Sequence, residues 1–198
     1  PTRRSSDLVL NIQGKVIFQH AASREFAYAP IALRTDLDAC RKELVCRYLK
    51  GYGPVTLRDA RYFFGWKKKE LEDILQNISD IEMSACGGHT VYELCEETDS
   101  YPRIPTVVFL SGFDPLMLGY EKHENPFLPQ RHLRRVFNLQ GIVYPCFLYQ
   151  GNVAGRWKLE KEALQLLPFE DFDAQQKQQL ERAAVRQFHP RCVEWLDS

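Results

Sequence analysis

The chain has 198 residues, of which 44% are hydrophobic and 12% aromatic, so it is long enough to bury one or two cores. Its 26 basic and 26 acidic residues cancel, which excludes a general attraction to polyanions and leaves only local patches to bind them. No apolar run approaches the roughly 20 residues that a membrane-spanning helix needs. Six cysteines without C-x-x-C spacing favour free thiols in the cytoplasm over a disulfide framework or a zinc site.

The first eight residues, PTRRSSDL, match the translation of a common sequencing-library adapter. We therefore expect residues 1–8 to be an artefact and the chain to be the C-terminal fragment of a longer protein. The alternative is a basic, disordered tail. Residues 9–33 alternate like a strand, a turn and a strand, with Gly14 marking the turn. This pattern predicts the end of a unit that begins upstream.

Three helices are predicted next. The first covers residues 36–50, after a capping box formed by Thr35 and Asp38, with an apolar face made of Leu37, Cys40, Leu44 and Tyr48. A second capping box, Thr56 with Asp59, opens a short helix that Gly65 ends. The third helix carries an apolar stripe at helical spacing, made of Leu71, Ile74, Leu75 and Ile78.

Two strand-like runs follow, joined by Gly87 and Gly88, which suit the positive φ angles of a tight hairpin turn. Three helices and then a hairpin are the elements of a winged helix-turn-helix, so the sequence predicts such a domain over residues 34–100. The segment TDSYPRIP is the expected linker to a second unit.

The second unit begins with a buried strand, TVVFL, and contains a hairpin, CFLYQGNVAGRWKL, that turns at residues 150–152. The run ALQLLPF predicts another strand. A helix over 174–188 would bury Leu180, Ala184 and Phe188 on one side. Several strands with one late helix predict an α+β fold, in which residues 101–198 form a small β-barrel-like domain.

Three segments, RYLKGYGP, FDPLMLGY and GNVAGRW, together resemble the AlkZ-like winged-helix family, which includes bacterial DNA glycosylases that remove crosslinked or alkylated bases. The resemblance runs from about residue 36 to 188. It implies tandem winged helices before a C-terminal β-barrel-like domain, so residues 9–33 would end a preceding winged helix. We expect double-stranded DNA as the partner of a cytoplasmic monomer, with no metal and no organic cofactor.

The catalytic signature of this family, Gln-x-Gln or Gln-x-Asp near the N-terminus, has no matching position here. Gln176 and Gln178 spell Gln-x-Gln, but at the start of a polar helix, which is typical of a solvated surface. The resemblance therefore implies that the catalytic segment is missing and that this chain alone does not cleave a glycosidic bond. Asp114 is a further candidate acid or base, although an Asp before Pro more often starts a turn.

The third helix and the hairpin carry opposing charges. Lys67, Lys68 and Lys69 lie where free backbone N–H groups of a helix start can help to bind phosphate, and His89 lies at the hairpin tip, within reach of a minor groove. The hairpin strands, however, carry acids that repel phosphate: Glu82, Glu93, Glu96 and Glu97. The alternative is that the lysines form a solvated helix end.

The second unit holds the stronger signal for DNA. Residues 125–159 contain no Asp or Glu and five basic residues: Arg131, Arg134, Arg135, Arg156 and Lys158. The first three share a face if RHLRRVF is helical, and the last two lie on one side of a strand. Such a cluster predicts salt-dependent binding to phosphates. The alternative is that these side chains pair within the fold with acids such as Glu121, Glu124 and Glu170.

Tyr120 is a candidate for stacking on a base or a deoxyribose, with a half-buried core tyrosine as the alternative. The resulting hypothesis is the DNA-binding part of a repair glycosylase. Two alternatives stay open: a non-catalytic DNA-binding or regulatory protein of the same architecture, and a protein-interaction scaffold, which zero net charge and an acidic hairpin would suit.

Overall fold

The computed structural model describes residues 16–20, 25–28, 36–95 and 103–196. The chain divides into two compact units, residues 1–41 and 42–198. In the first unit, strands β1 (Val16–His20) and β2 (Glu25–Tyr28) pair antiparallel. The predicted strands are thus present, but the connection between them follows His20. Gly14 and Thr35, which we expected at a turn and at a helix cap, lie outside the described residues.

Helix α1 (Leu37–Tyr52) begins where Asp36 caps it, since Asp36 Oδ1 accepts the backbone N–H groups of Asp38 and Ala39 at 3.1 and 3.0 Å. The predicted apolar face is wrong in its first half, because Leu37 and Leu44 are 67% and 48% exposed. The buried side chains of the helix lie in its C-terminal half. The side chains that it buries there are Val45, Tyr48 and Leu49.

Five short elements follow: β3 (Val55–Thr56), α2 (Leu57–Phe64), α3 (Lys68–Gln76), β4 (Ile81–Cys86) and β5 (His89–Leu94). Strand β5 lies between β3 and β4 in an antiparallel sheet. The predicted capping box of α2 and its end at Gly65 (φ 67°) are confirmed. So is the hairpin turn, where Gly87 and Gly88 have φ angles of 59° and 83°. The helices and the sheet enclose one core, which contains Val45, Leu49, Val55, Leu71 and Leu75.

The second half of this unit is built on a mixed five-stranded sheet in the order β10-β9-β8-β7-β6. Its strands are β6 (Val107–Leu110), β7 (Cys146–Tyr149), β8 (Asn152–Glu160), β9 (Ala163–Pro168) and β10 (Cys192–Trp195). Its helices are α4 (Pro115–Leu118), a 3₁₀ turn (Gln130–His132), α5 (Leu133–Val136) and α6 (Ala174–Phe188). The mixed α+β class is therefore confirmed.

One strand of this sheet was not expected. Strand β10, which no prediction included, runs parallel to β9 after the α6 crossover, whereas the other pairings are antiparallel. Among the described residues no ladder joins β6 to β10, so these five strands form an open sheet, and the β-barrel-like character expected of residues 101–198 stays a prediction. Helix α6 covers one face of this open sheet. None of the described helices is long and apolar enough to cross a membrane.

The two faces of the sheet bury separate clusters. On one face, Leu180 and Ala184 of α6 are fully buried against Phe109, Phe147, Leu164 and Leu166, as the helical spacing predicted. On the other face, α4 and α5 cover the end of the sheet near β6 and β7, with buried residues that include Met117, Leu133, Val136, Cys146 and Leu148. None of the described helices contributes to a cluster on the part of this face near β9 and β10.

Strands β7 and β8 form the predicted hairpin, which turns at Gln150 and Gly151 (φ 51° and 82°). The register shifts between Phe147 and Leu148, which pair with Gly155 and Val153, so Ala154 has no partner and forms a β-bulge. A Cβ on Gly155 would lie 2.3 Å from the Phe147 ring. Glycine is therefore required at this close contact.

Candidate DNA interface

Two of the three segments that carry the family resemblance pack against each other. The Tyr48 hydroxyl donates to the Gly119 carbonyl, and the Tyr120 hydroxyl to the Tyr52 carbonyl, both at 2.7 Å. A Cβ on Gly119 would lie 2.1 Å from the Tyr52 ring, so the glycine allows the close approach. We call this contact between residues 48–59 and 114–124 the seam.

Tyr120 belongs to the seam and not to a binding surface. Its side chain is only 5% exposed and packs edge-on against the Tyr52 ring. Burial, with smaller contributions from Asp59 and Tyr52, raises the pKa of Tyr120 to about 12. The prediction that Tyr120 stacks on DNA is wrong, and the alternative of a core tyrosine is confirmed.

Asp114 also has a structural role. Its Oδ1 accepts the backbone N–H of Leu116 at 3.0 Å, so it caps α4 just before Pro115. The turn interpretation holds, and no proton-transfer partner contacts the Asp114 carboxylate among the described residues. Gln176 is similar: it forms a capping box with Asp173 at the start of α6, and Gln178 is exposed on the same helix, as expected of a solvated helix surface.

Asp59 is the polar centre of the seam, a role beyond the helix cap predicted for it. Its buried carboxylate accepts from the Thr56 backbone and hydroxyl at 2.9 and 2.6 Å and from the Glu121 backbone N–H at 2.8 Å. Arg58 next to it pairs with Glu121 at 3.5 Å and also with Glu124. The neighbouring residues Arg58 and Asp59 thereby connect α2 to the loop that follows α4.

The five predicted basic residues do not form one patch. The segment RHLRRVF is a 3₁₀ turn followed by a single α-helical turn. Arg131 donates to Glu170 with its Nε at 2.9 Å, and hydrogen bonds from Arg131 and His132 lower the pKa of the Glu170 carboxyl. Arg135 packs over the Phe169 ring at 4.2 Å. The alternative of pairing with an acid within the fold therefore holds for Arg131, while Arg135 contacts Phe169 and, among the described residues, no acid, and Glu121 and Glu124 pair with Arg58 instead.

Arg134 differs from its two neighbours. It is exposed and makes no ion pair or hydrogen bond within the described part of the chain. It lines a cleft of about 160 Å³ together with Lys122, His123, Asn138 and Tyr62 of α2. No acidic side chain lines this space, which we call the Arg134 cleft. The sequence did not single out Lys122, His123 or Tyr62.

Arg156 and Lys158 lie on one side of β8, as predicted, and line a groove of about 510 Å³ on the uncovered part of the sheet. The Arg156 guanidinium lies 4.6 Å from the centre of the Tyr144 ring. Lys158 pairs with Glu160 at 3.2 Å, in a contact that is largely exposed. We call this space the Arg156 groove.

The loop of residues 138–142 borders the cleft, and a residue that lines the groove follows it closely in the chain. Asn138 and Gly141 line the cleft, and Tyr144 lines the groove. Asn138 Oδ1 accepts the backbone N–H groups of Gln140 and Ile142 at 2.9 and 2.8 Å, which holds the loop in shape. At its tip Leu139 is 87% exposed. We call residues 138–142 the Leu139 loop.

The candidates around α3 and the hairpin lie away from these spaces. Lys67 and Lys69 are exposed, and Lys68 pairs with Glu72 at 3.5 Å. His89 is exposed beside the hairpin turn. Across the hairpin, Glu82 faces Glu93, so the acidic character predicted for it is present, while Glu96 and Glu97 lie outside the described residues. The DNA roles of the three lysines and His89 stay predictions.

The cysteines are free thiols. Burial, and next the nearby Asp114, raises the pKa of the Cys146 thiol to about 12, so this thiol is held in its neutral form. Within residues 36–95 and 103–196, no three His, Cys, Asp or Glu side chains gather as a metal site would require.

An α+β fold with basic, acid-free surface spaces is typical of a protein that binds nucleic acid. Comparison with known protein families identifies the family to which this chain belongs. Residues 5–188 match the family described as DNA glycosylase AlkZ-like, and the chain belongs to this family. The resemblance predicted from the three sequence segments is therefore confirmed.

Two matches, one by sequence and one by structure, come from Streptomyces sahachiroi. The interstrand DNA cross-link repair glycosylase is 21% identical over 155 residues, which cover 75% of this chain and 42% of that protein. The structure of the DNA glycosylase AlkZ matches with a TM-score of 0.72 at 20% identity, covering 87% of this chain and 51% of that one. This match shows a shared fold. The chain spans about half the length of these relatives.

Proposed function

We propose that this chain is the DNA-gripping part of a repair glycosylase that acts on alkylated or crosslinked bases in double-stranded DNA. In this proposal it works as a cytoplasmic monomer, and residues 36–95 serve as a winged helix. The family supports the DNA partner, and the relative from Streptomyces sahachiroi supports the type of lesion. The order helix, strand, helix, helix and hairpin supports the winged helix.

The observation that carries the proposal is the presence of cations in two surface spaces that, among the described residues, no acidic side chain lines. Arg134 lines the cleft, and Arg156 with Lys158 lines the groove. Two such basic surfaces, with the exposed Leu139 loop bordering one of them, suit contact with the phosphate backbones that border a groove of DNA. An exposed leucine at the tip is the type of side chain that proteins insert between base steps of the minor groove.

We further propose that the described residues bind DNA and do not release the base. The two side chains with a sequence pattern for catalysis, Asp114 and Gln176, are both engaged in helix caps. Cleavage would then depend on a Gln-x-Gln or Gln-x-Asp pair elsewhere in the parent protein. Genomic DNA read upstream of Val9 tests this: a coding sequence without such a pair would leave a DNA-binding protein instead of a glycosylase.

The DNA interface is tested by fluorescence anisotropy with a labelled duplex over a series of salt concentrations. The variant Arg134→Glu with Lys158→Glu removes one exposed cation from the Arg134 cleft and one from the Arg156 groove. We expect at least about tenfold weaker binding and a salt dependence reduced by about two counterions, because each lost phosphate contact removes roughly 0.9 from the slope. The matched control is Arg182→Glu with Arg186→Glu, two exposed arginines of α6, which should bind like the unchanged protein.

Equal losses in the two variants would show that charge alone matters and would overturn the placement of the interface. No duplex binding by the unchanged protein at low salt would overturn the DNA function as a whole. Salt-insensitive binding to a protein partner, without DNA affinity, would favour the scaffold alternative.

A further inference from the structure

The Arg134 cleft contains an aromatic side chain without a structural task. Tyr62 is 45% exposed on α2, and its ring stacks on no other ring among the described residues. The aromatic residues around it do stack: Tyr48 with Phe63 and Phe64, and Phe64 with Trp66. Packing of the core therefore does not explain the position of Tyr62, whereas a ligand in the cleft would.

The cleft has an apolar lining and a basic rim. The apolar side chains are Leu118, Leu133, Phe137 and Val143, and the basic ones are Lys122, His123 and Arg134. Its volume of about 160 Å³ equals roughly five water molecules at about 30 Å³ each. Such a space holds one planar ring system but excludes a base pair.

From this arrangement we propose that the Arg134 cleft holds a single unstacked nucleotide of a DNA strand. The base would lie against the Tyr62 ring and the apolar lining, and Lys122, His123 and Arg134 would contact the phosphates beside it. Aromatic faces next to cations are how proteins bind single-stranded nucleic acid. A base inside an intact duplex has both faces covered by its neighbours, so only an unstacked nucleotide offers a face to Tyr62.

The two walls of the cleft are fixed relative to each other. Tyr62 lies on α2, and Lys122 with His123 lies on the loop after α4. Asp59 and Arg58 of α2 bind Glu121, the residue just before Lys122, at 2.8 and 3.5 Å. The site is therefore formed before a nucleotide binds. This favours affinity, because the protein loses less conformational freedom on binding.

This inference rests on the proposed DNA function and gives it a substrate class: DNA distorted enough to free one base from the stack. Unstacking costs least at mismatched or damaged positions. A protein with this cleft would therefore prefer distorted DNA over an intact duplex, independently of any catalytic residue.

The experiment compares a fully paired duplex with the same duplex carrying one bulged 2-aminopurine nucleotide. We expect the unchanged protein to bind the bulged DNA about tenfold more tightly, since stacking on one aromatic side chain contributes about 1–3 kcal/mol, and to quench the 2-aminopurine fluorescence. Tyr62→Ala should lose both the preference and the quenching while binding the paired duplex within about twofold of the unchanged protein. Tyr62→Phe should retain them.

Loss of folding should not contribute to these changes, because the ring of Tyr62 contacts no other ring among the described residues. The thermal stability of both variants should therefore match that of the unchanged protein, which a melting curve checks. The proposal is overturned if the unchanged protein binds the two duplexes equally, or if Tyr62→Ala weakens both to the same extent. The DNA interface itself still stands in either case, provided that Arg134→Glu with Lys158→Glu weakens paired DNA. Equally tight binding of free deoxyadenosine monophosphate would show a mononucleotide site and overturn the strand assignment.

Discussion

The seam and the Arg134 cleft are close neighbours with opposite properties. In the seam, each polar group is paired: the hydroxyls of Tyr48 and Tyr120 donate to carbonyls, and the Asp59 carboxylate accepts from Thr56 and Glu121. No buried side-chain nitrogen or oxygen in the described part of the chain lacks a partner. In the cleft, by contrast, Arg134 and the Tyr62 ring have no partner within the described residues.

This contrast follows from solvent exposure. A buried polar group without a hydrogen bond destabilises the fold by about 1–3 kcal/mol, so the seam has to be saturated. An exposed side chain has no such requirement and stays available to a ligand. The segments RYLKGYGP and FDPLMLGY, which carry the family resemblance in the sequence, therefore build the frame, while the candidate ligand contacts Tyr62, Lys122, His123 and Arg134 lie outside them.

Asp59→Ala should have the largest effect on the seam. The variant loses the cap of α2, at about 0.5–2 kcal/mol, and leaves the buried Glu121 N–H without an acceptor, at about 1–3 kcal/mol. We expect the free energy of unfolding in urea to fall by about 2–4 kcal/mol. Asp38→Ala, at a carboxylate that is 95% exposed, is the control and should change it by less than about 1 kcal/mol. Similar losses for both variants would contradict a special role of the seam.

Gly119→Ala should have the next largest effect. Its new methyl group would lie 2.1 Å from the Tyr52 ring, and that ring is held by Tyr48, Phe63 and Tyr120, so we expect a loss of about 1–3 kcal/mol. Gly51→Ala is the matched control, because Gly51 lies within α1 with no atom within 4 Å of the new Cβ. That variant should stabilise the protein by up to about 1 kcal/mol. Denaturation that moves in the same direction for both glycines would refute the close packing at the seam.

The smallest effect separates two arginines that lie three residues apart. Arg131→Glu breaks the pair with Glu170 and should lower the free energy of unfolding by about 0.5–1 kcal/mol, with little change in duplex affinity. Arg134→Glu should leave stability within about 0.5 kcal/mol and weaken duplex binding. Measuring both quantities on both variants checks the contrast, and it fails if Arg131 proves to be the more important residue for DNA.

Much of the fold could be predicted from local patterns. The capping box at Thr56, the glycine turn at Gly87 and the stripe on α6 each depend on residues close in sequence, and each is present. Strand β10 was missed because its partner β9 lies one helix away. The barrel-like character of residues 101–198 could not be derived from local patterns, because closure depends on whether the first and last strands meet, which no short segment determines.

The site was harder to predict because charges were summed along the sequence. Lys122 and His123 follow Glu121 and precede Glu124, so the local charge is unremarkable. In the fold, Arg58 binds both glutamates, which leaves the cations to the cleft. Likewise, the sequence cannot tell that Glu170 binds Arg131 rather than Arg134, since that choice depends on how Phe169, the residue before Glu170, packs against His132 and Arg135.

The β-bulge in the hairpin of β7 and β8 shows that the number of residues, and not only their type, determines the basic surface. Strand residues alternate between the two faces of a sheet, and a shift of one residue reverses every face that follows. Because Ala154 is unpaired, the side chains of Val153 and Arg156 both lie on the face of the sheet away from α6. If Ala154 instead paired with Phe147 in a regular ladder, every later residue of β8 would shift by one position, and Arg156 and Lys158 would point towards α6. The extra residue that the bulge holds out of the ladder therefore determines which face of the sheet carries these two cations.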